Sequence, residues 1–293
     1  MTPTSLPSPL PLNFPQTFLA DRRLLGQLLE FAERGGTGTI ETIGDATGIP
    51  TGQSTGKVEP MIHYARGMGL VQAWKANGVW QLQASLLGRM VLQEDAFLAE
   101  PLTLWLLHLL LSRRLGRAVP AVGLADPWFQ LFAEGRLRLG EQVDQEAYTR
   151  LLVERHGAKG YLKGLAALVL RMYRERAAFG DAGILSRTGA DGAERFVREP
   201  APFEVPFFPA YAVFLWLLWD ESYPDVAQLS FDEMVHETRF LTLLGWDGAR
   251  AAAWLDWLSD ERLAQLDRYT GSVMVLRLVS TEVIVGRLYH ELI

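Results

Sequence analysis

Five histidines, three carboxylate groupings and one Gly-Lys turn are the residues of this chain that could do chemistry. His63, His108, His156, His236 and His290 are scattered, and no two stand at a spacing that would share a metal ion. His236 and Glu237 are adjacent, which a helix turns to different faces. Asp220/Glu221, Asp232/Glu233 and Asp256/Asp260/Glu261 offer oxygens for a metal or an acid–base pair. The same groupings are the ordinary make-up of solvated helix faces and caps. No Ser-His-Asp arrangement and no G-x-S-x-G elbow is readable. The run GQSTGKV at 52–58 invites a phosphate-loop reading. That loop needs Gly five places before the Gly-Lys pair and Ser or Thr after it, where this chain has Thr51 and Val58. No catalytic residue, metal ligand or cofactor is assigned, and the chain reads as a binding protein and not an enzyme.

The elements that would position a binding surface are plainest at 39–83. TIETIGDATGI has Ile40, Ile43 and Ala46 on one helical face, and GIPTGQ makes a turn. STGKVEPMIHYARGMGLV is a second helix pattern ending at Gly67 or Gly69. VQAWK and VWQLQ flank Asn77-Gly78, the signature of a tight hairpin. Helix, turn, helix, hairpin is the order of a winged helix-turn-helix.

The second helix, 54–67, is the candidate recognition helix, with Ser54 as its cap. Gln53, Ser54, Thr55, Lys57 and His63 would face solvent, with Arg66 in the last turn, and such side chains bond base edges or phosphates. Val58, Met61, Ile62 and Ala65 would form its core face. Pro60 fits only if the helix starts near Lys57, which puts the proline in the first turn. In the wing, Lys75 could reach a phosphate, and at least one of Trp74 and Trp80 would pack inward. Arg113, Arg114 and Arg117, followed by Arg136 and Arg138, make a second basic cluster. Arg171, Arg174 and Arg176 make a third, with Glu175 between. Either cluster could meet a nucleic-acid backbone, and either could simply sit at helix C-termini.

Composition bounds these readings. At 293 residues with 49% hydrophobic and 21% charged, the chain is long enough for two or three domains. Nine Trp and fourteen Phe promise large cores. The absence of Cys excludes disulfides, zinc-thiolate sites and a Cys nucleophile, and fits a reducing cytoplasm. The first residues, MTPTSLPSPLPLNFP, have no basic region or long apolar run and read as an extended arm. The apolar runs at 102–111 and 210–219 fall short of the about 20 residues a membrane helix needs, so they read as core helices. Net charge is −6, with +1 on residues 1–90 and so −7 on the rest. DNA contact would need a local patch and not a global field.

The expected organisation is a Pro-rich arm at 1–15, a winged unit at 16–92 opened by a helix at 16–34, a helical middle region at 93–209 and a helical C-terminal domain at 210–293. The fold class is mainly α. A strand is expected at ERFVRE. The order SFDEMVHE, ARAAAWLDWLSDERLAQL and SVMVLRL loosely echoes the N-terminal unit, so a second winged-helix-like unit at about 228–280 is an option.

Three segments resemble the bacterial domain-of-unknown-function family numbered 4007. They are NFPQTF with the helix that follows, TGQSTGKVEPMIHYARGMGLV, and FLAEPLTLWLLHLLL at 97–111. The first departs from the pattern at Pro15-Gln16, where the resemblance leads one to expect a His. The resemblance covers the first third of the chain. It implies a setting beside sulfur-based DNA modification (phosphorothioation) and other phage-defence genes, and no particular activity. The leading expectation is a cytoplasmic DNA-binding accessory component that docks a partner protein through its C-terminal region. The alternatives are a protein-only adaptor, and a homodimeric regulator of the neighbouring operon.

Overall fold

A computed structural model describes residues 8–188, 194–268 and 271–292. The chain is mainly helical, with three small antiparallel sheets. The first unit runs α1 (Arg22–Glu33), β1 (Thr37–Gly38), α2 (Ile40–Thr47), α3 (Val58–Gly67), β2 (Val71–Ala76) and β3 (Val79–Ala84). Two helices follow, α4 (Leu86–Glu94) and α5 (Pro101–Leu111). The middle unit opens with α6 (Asp126–Phe129), a wide turn at Gln130–Glu134 and α7 (Gly135–Arg138). It continues through β4 (Gln142–Val143), α8 (Gln145–His156), α9 (Leu162–Met172), β5 (Leu185–Thr188) and β6 (Arg195–Arg198). The last unit has α10 (Phe208–Ser222), β7 (Gln228–Ser230), α11 (Phe231–Thr238), α12 (Phe240–Leu244) and α13 (Gly248–Asp260). The hairpin β8 (Ala264–Asp267) and β9 (Met274–Arg277) and the short helix α14 (Thr281–Gly286) close it.

The three sheets share one plan. Their strand orders are β1-β3-β2, β4-β6-β5 and β7-β9-β8. In each, a short first strand pairs with the last, and helices fill the gap before the hairpin. Residues 228–277 hold the third of these sheets, with α11, α12 and α13 between β7 and the hairpin. The middle region, expected to be helical with one strand at ERFVRE, holds that strand as β6 and two more beside it, so residues 142–198 contain a three-stranded sheet.

Local chemistry sets the boundaries. Asp21 caps α1 by accepting from Leu24 N–H at 3.2 Å, so the helix starts at Arg22 and not at 16. Thr39 caps α2, and Gly48 ends it with φ 70°, a conformation glycine adopts freely. Asn77 and Gly78, at φ 51° and 79°, make the two-residue turn between β2 and β3. α3 begins at Val58, which corrects the start at 54. Pro60 therefore sits in the first turn, where its missing N–H costs nothing.

Helices α5 and α10 are the axis of the molecule. From Leu102 to Leu111 every residue of α5 is buried, and α10 is buried from Phe208 to Trp216. A helix apolar on every side belongs in a core. Indole N–H groups tie this axis to surrounding backbone: Trp105 donates to Ala182 C=O at 3.0 Å and Trp216 to Val279 C=O at 3.0 Å. His108, inside α5, meets the Tyr173 hydroxyl through Nδ1 at 2.7 Å. Burial pushes its pKa down to about 3, so it stays a neutral core residue. Among the described residues no helix is long and apolar enough to cross a membrane.

Candidate nucleic-acid interface

The ten residues picked from the sequence fall into four places. Gln53, Ser54 and Thr55 lie fully exposed on the turn before α3. Ser54 caps nothing, because Lys57 occupies the N-cap position without a side-chain bond. The turn is held by its own backbone, with Gly56 N–H on Gly52 C=O at 2.6 Å and Lys57 N–H on Pro50 C=O at 2.8 Å. The Lys57 ammonium lies 5.6 Å from the centre of the Phe18 ring.

The body of α3 is covered. None of its side chains is fully exposed, and only Glu59, His63 and Arg66 are half-buried. The covering element is the N-terminal arm. Phe14 packs edge-on against Tyr64 at 4.9 Å and lies 5.8 Å from His63. Leu10 N–H bonds Leu124 C=O at 2.9 Å, which fastens the arm to the middle of the chain. Arg66 donates to Ser8 C=O at 2.8 Å and to its hydroxyl at 2.6 Å. His63 is correspondingly only partly open to solvent. It sits between Phe14 and Trp80, and burial lowers its pKa to about 4.

On the β2–β3 hairpin, Lys75 pairs with Glu59 at 2.5 Å and lies 5.3 Å over Trp80. That contact holds the Glu59 carboxyl below the usual carboxylate range. Of the two tryptophans on this hairpin, Trp80 is buried and Trp74 is 49% exposed.

The Arg113–Arg117 cluster does not extend this face. Arg113 and Arg114 are interior. Arg113 Nε meets Glu221 at 2.9 Å, and one of its terminal nitrogens donates to Gly67 C=O at 2.9 Å, the last residue of α3. Arg114 meets Glu237 at 3.0 Å and donates to Ala118 C=O at 2.8 Å. Arg117 lies 3.6 Å from Glu233 and 4.7 Å over the Tyr223 ring. The three arginines therefore join the end of α5 to α10 and α11. Their position at a helix C-terminus was readable from the sequence. Their carboxylate partners, more than 100 residues away in the chain, were not.

Among the described residues no group of three or more His, Asp or Glu side chains is placed to hold a metal ion. A cleft of about 520 Å³ lies between the first and last units and is lined by Gln72, Arg113, Asp220, Glu221 and Arg277. Its charges are already matched, Arg113 to Glu221 and Arg277 to Asp220 at 2.5 Å.

Two solved structures superpose on nearly the whole chain. The fold is that of SspB. A structure described as the magnesium ion-bound SspB crystal structure superposes with a TM-score of 0.72 at 16% identity, covering 96% of this chain and 87% of that one. A second SspB crystal structure gives 0.69 at 14% identity with the same coverage. Identity this low between SspB and this chain carries the fold alone. No protein-family model matches the chain, and no curated protein matches it in sequence.

Proposed function

We propose that this protein is a non-enzymatic, DNA-binding accessory component of a bacterial phage-defence or DNA-modification system of the phosphorothioation type. The observation that supports the reading is the strand–helices–hairpin unit, which occurs three times, with two helices in the first and middle units and three in the last, in the order a winged helix uses. The three-segment resemblance supplies the setting, and the fold likeness to SspB over 96% of the chain is in keeping with it. In the first unit the DNA contact is the exposed turn Gln53-Ser54-Thr55 with Lys57 behind it. Hydroxyl and amide groups there bond phosphate oxygens. Few cations reach the surface of that unit, so its share of the salt dependence is shallow. The last unit docks a partner protein. Residues 199–293 carry six Lys/Arg against fifteen Asp/Glu, a net −9, which suits a basic protein surface and not a nucleic acid.

A protein-only adaptor is the second reading. The covered face of α3 favours it, since that helix cannot enter a groove as it stands. Duplex binding separates the two. The purified protein, tested by fluorescence anisotropy on plain and phosphorothioate-bearing duplexes, binds in a salt-sensitive manner if the DNA reading holds. A folded protein that binds neither duplex at low salt is an adaptor.

A further inference from the structure

One plan occurs three times, but the helix before each hairpin shows solvent a different face. In the first unit α3 shows no fully exposed side chain. In the last, α13 exposes Ala252, Ala253, Asp256, Ser259 and Asp260, a small and acidic surface. In the middle unit α9 exposes Lys163, Gly164 and Arg171, with Ala167 half-buried between them and Arg174 exposed just beyond its end. Lys163, Ala167, Arg171 and Arg174 are spaced by four, four and three residues, so they share one helix face.

Cations outnumber carboxylates around that face, although exposed Glu175 stands four residues after Arg171 and Glu146 and Glu154 share a cleft with Lys163. Residues 135–198 hold twelve Lys/Arg against eight Asp/Glu, a net +4 in a chain of net −6. The carboxylates of the neighbouring α8 are occupied: Glu146 by Arg150 at 2.8 Å, and Glu154 by Arg138. Glu194, on the hairpin, is shared by Arg174 at 2.7 Å and Arg187 at 3.4 Å, which ties the hairpin to the end of α9. Among the described residues, neither Lys163 nor Arg171 makes an ion pair. Arg171 has one long contact, 3.5 Å to Thr17 C=O, beside the Phe18 ring on which Lys57 rests. The α9 face is thereby linked to the exposed turn of the first unit.

Gly164 points outward as well. A Cβ built there would meet nothing within 4 Å, and its φ is not positive. Nothing inside the fold asks for glycine at this position, where almost any residue makes a better helix. What a glycine does there is keep the helix surface low between two cations.

We infer that α9, with the hairpin β5–β6 beside it, is the principal duplex-DNA contact of this protein. The inference rests on the reading that the protein meets DNA, and moves the main contact from the first unit to the middle one. Eight residues of helix separate Lys163 from Arg171, a rise of about 12 Å. The B-form major groove, about 12 Å wide, admits a helix lying along it, and cations toward the two ends of the exposed face then reach the flanking phosphates. Gly164 and Ala167 let the helix backbone approach the base edges. The deep, narrow major groove of A-form RNA does not admit a helix, so the partner is DNA.

The test is anisotropy on a labelled duplex over a salt series with the full chain and three variants. Lys163→Gln/Arg171→Gln removes two phosphate contacts. It lowers the slope of log affinity against log salt by about 1.8 and weakens low-salt binding roughly tenfold. Gly164→Gln keeps or raises the melting temperature and still weakens binding, a split that a structural role would not produce. Lys57→Glu/Arg66→Glu has the smaller effect. Wild-type affinity in the Lys163/Arg171 variant, with loss in the Lys57/Arg66 variant, overturns the inference and leaves the DNA reading on the first unit. Unchanged binding by Gly164→Gln, or equal affinity for an RNA duplex, overturns entry into the groove. No duplex binding by the wild type overturns both the inference and the DNA reading beneath it.

Discussion

Arg113 and Glu221 meet at 2.9 Å with only 9% and 11% of their side-chain surfaces exposed, and this pair locks the first unit onto the last. The same guanidinium holds the final carbonyl of α3, so one side chain joins α3, α5 and α10. Glu221 Oε1 is buried with no other partner. Removing Arg113 strands a buried carboxylate, a change that costs about 3–5 kcal/mol in buried pairs. Arg113→Ala is expected to lower the urea midpoint strongly. Arg113→Met with Glu221→Leu recovers most of the loss, because neither charge is then left alone. Urea denaturation measures both. A mild loss in the single variant would show that the pair is solvated.

Stability should fall on mild acidification. Burial holds His108 at about 3 and His63 at about 4, both below the ordinary value of 6.5. Between those values and 6.5 the unfolded chain binds more protons than the folded one. The contribution is fully present above about pH 6.5 and is lost as pH falls toward about 3. For a fully buried histidine the slope approaches about 1.4 kcal/mol per pH unit. Urea midpoints between pH 8 and 5 should therefore drop below pH 6.5, and His108→Gln should flatten the drop. A midpoint independent of pH across that window contradicts the buried, neutral assignment.

Much of the first unit was legible in the sequence, and the reasons are local. Asn77-Gly78 announces its turn because few other residues accept two positive φ angles in succession. Pro60 announces where α3 can begin. The run from Pro101 to Leu111 announces a core helix by being apolar all round. Of the middle sheet only β6 was legible, because β4 is two residues long and its period cannot be read between strong helices. The cationic stretch at 135–198 was hidden because it was averaged with an acidic C-terminal third. The burial of Arg113, Arg114 and His63 depends on Glu221, Glu237 and Phe14, partners that folding brings in from far along the chain.

Close packing gives a further check on the first unit. A Cβ at Gly88 of α4 would lie 2.0 Å from Leu70 C=O and 2.9 Å from the Leu29 side chain. Gly88→Ala forces the backbone of α4 away from the hairpin and should cost about 1–3 kcal/mol. A thermal melt reads this directly, and an unchanged melting temperature would mean that α4 packs less closely on Leu70.

One of the SspB structures of this fold was solved with magnesium bound. The accessory reading predicts that supercoiled plasmid incubated with this protein and millimolar magnesium stays supercoiled. Agarose electrophoresis distinguishes the forms. Magnesium-dependent nicked circles, absent from a mock preparation, would make the protein an enzyme.

The most direct test of the central claim is the affinity of the wild-type protein for a short duplex at several salt concentrations. Binding that weakens as salt rises from about 50 to 200 mM, with a slope worth several phosphates, is the predicted result. No binding at the lowest salt, by protein that melts cooperatively, would contradict it and leave a protein-docking subunit.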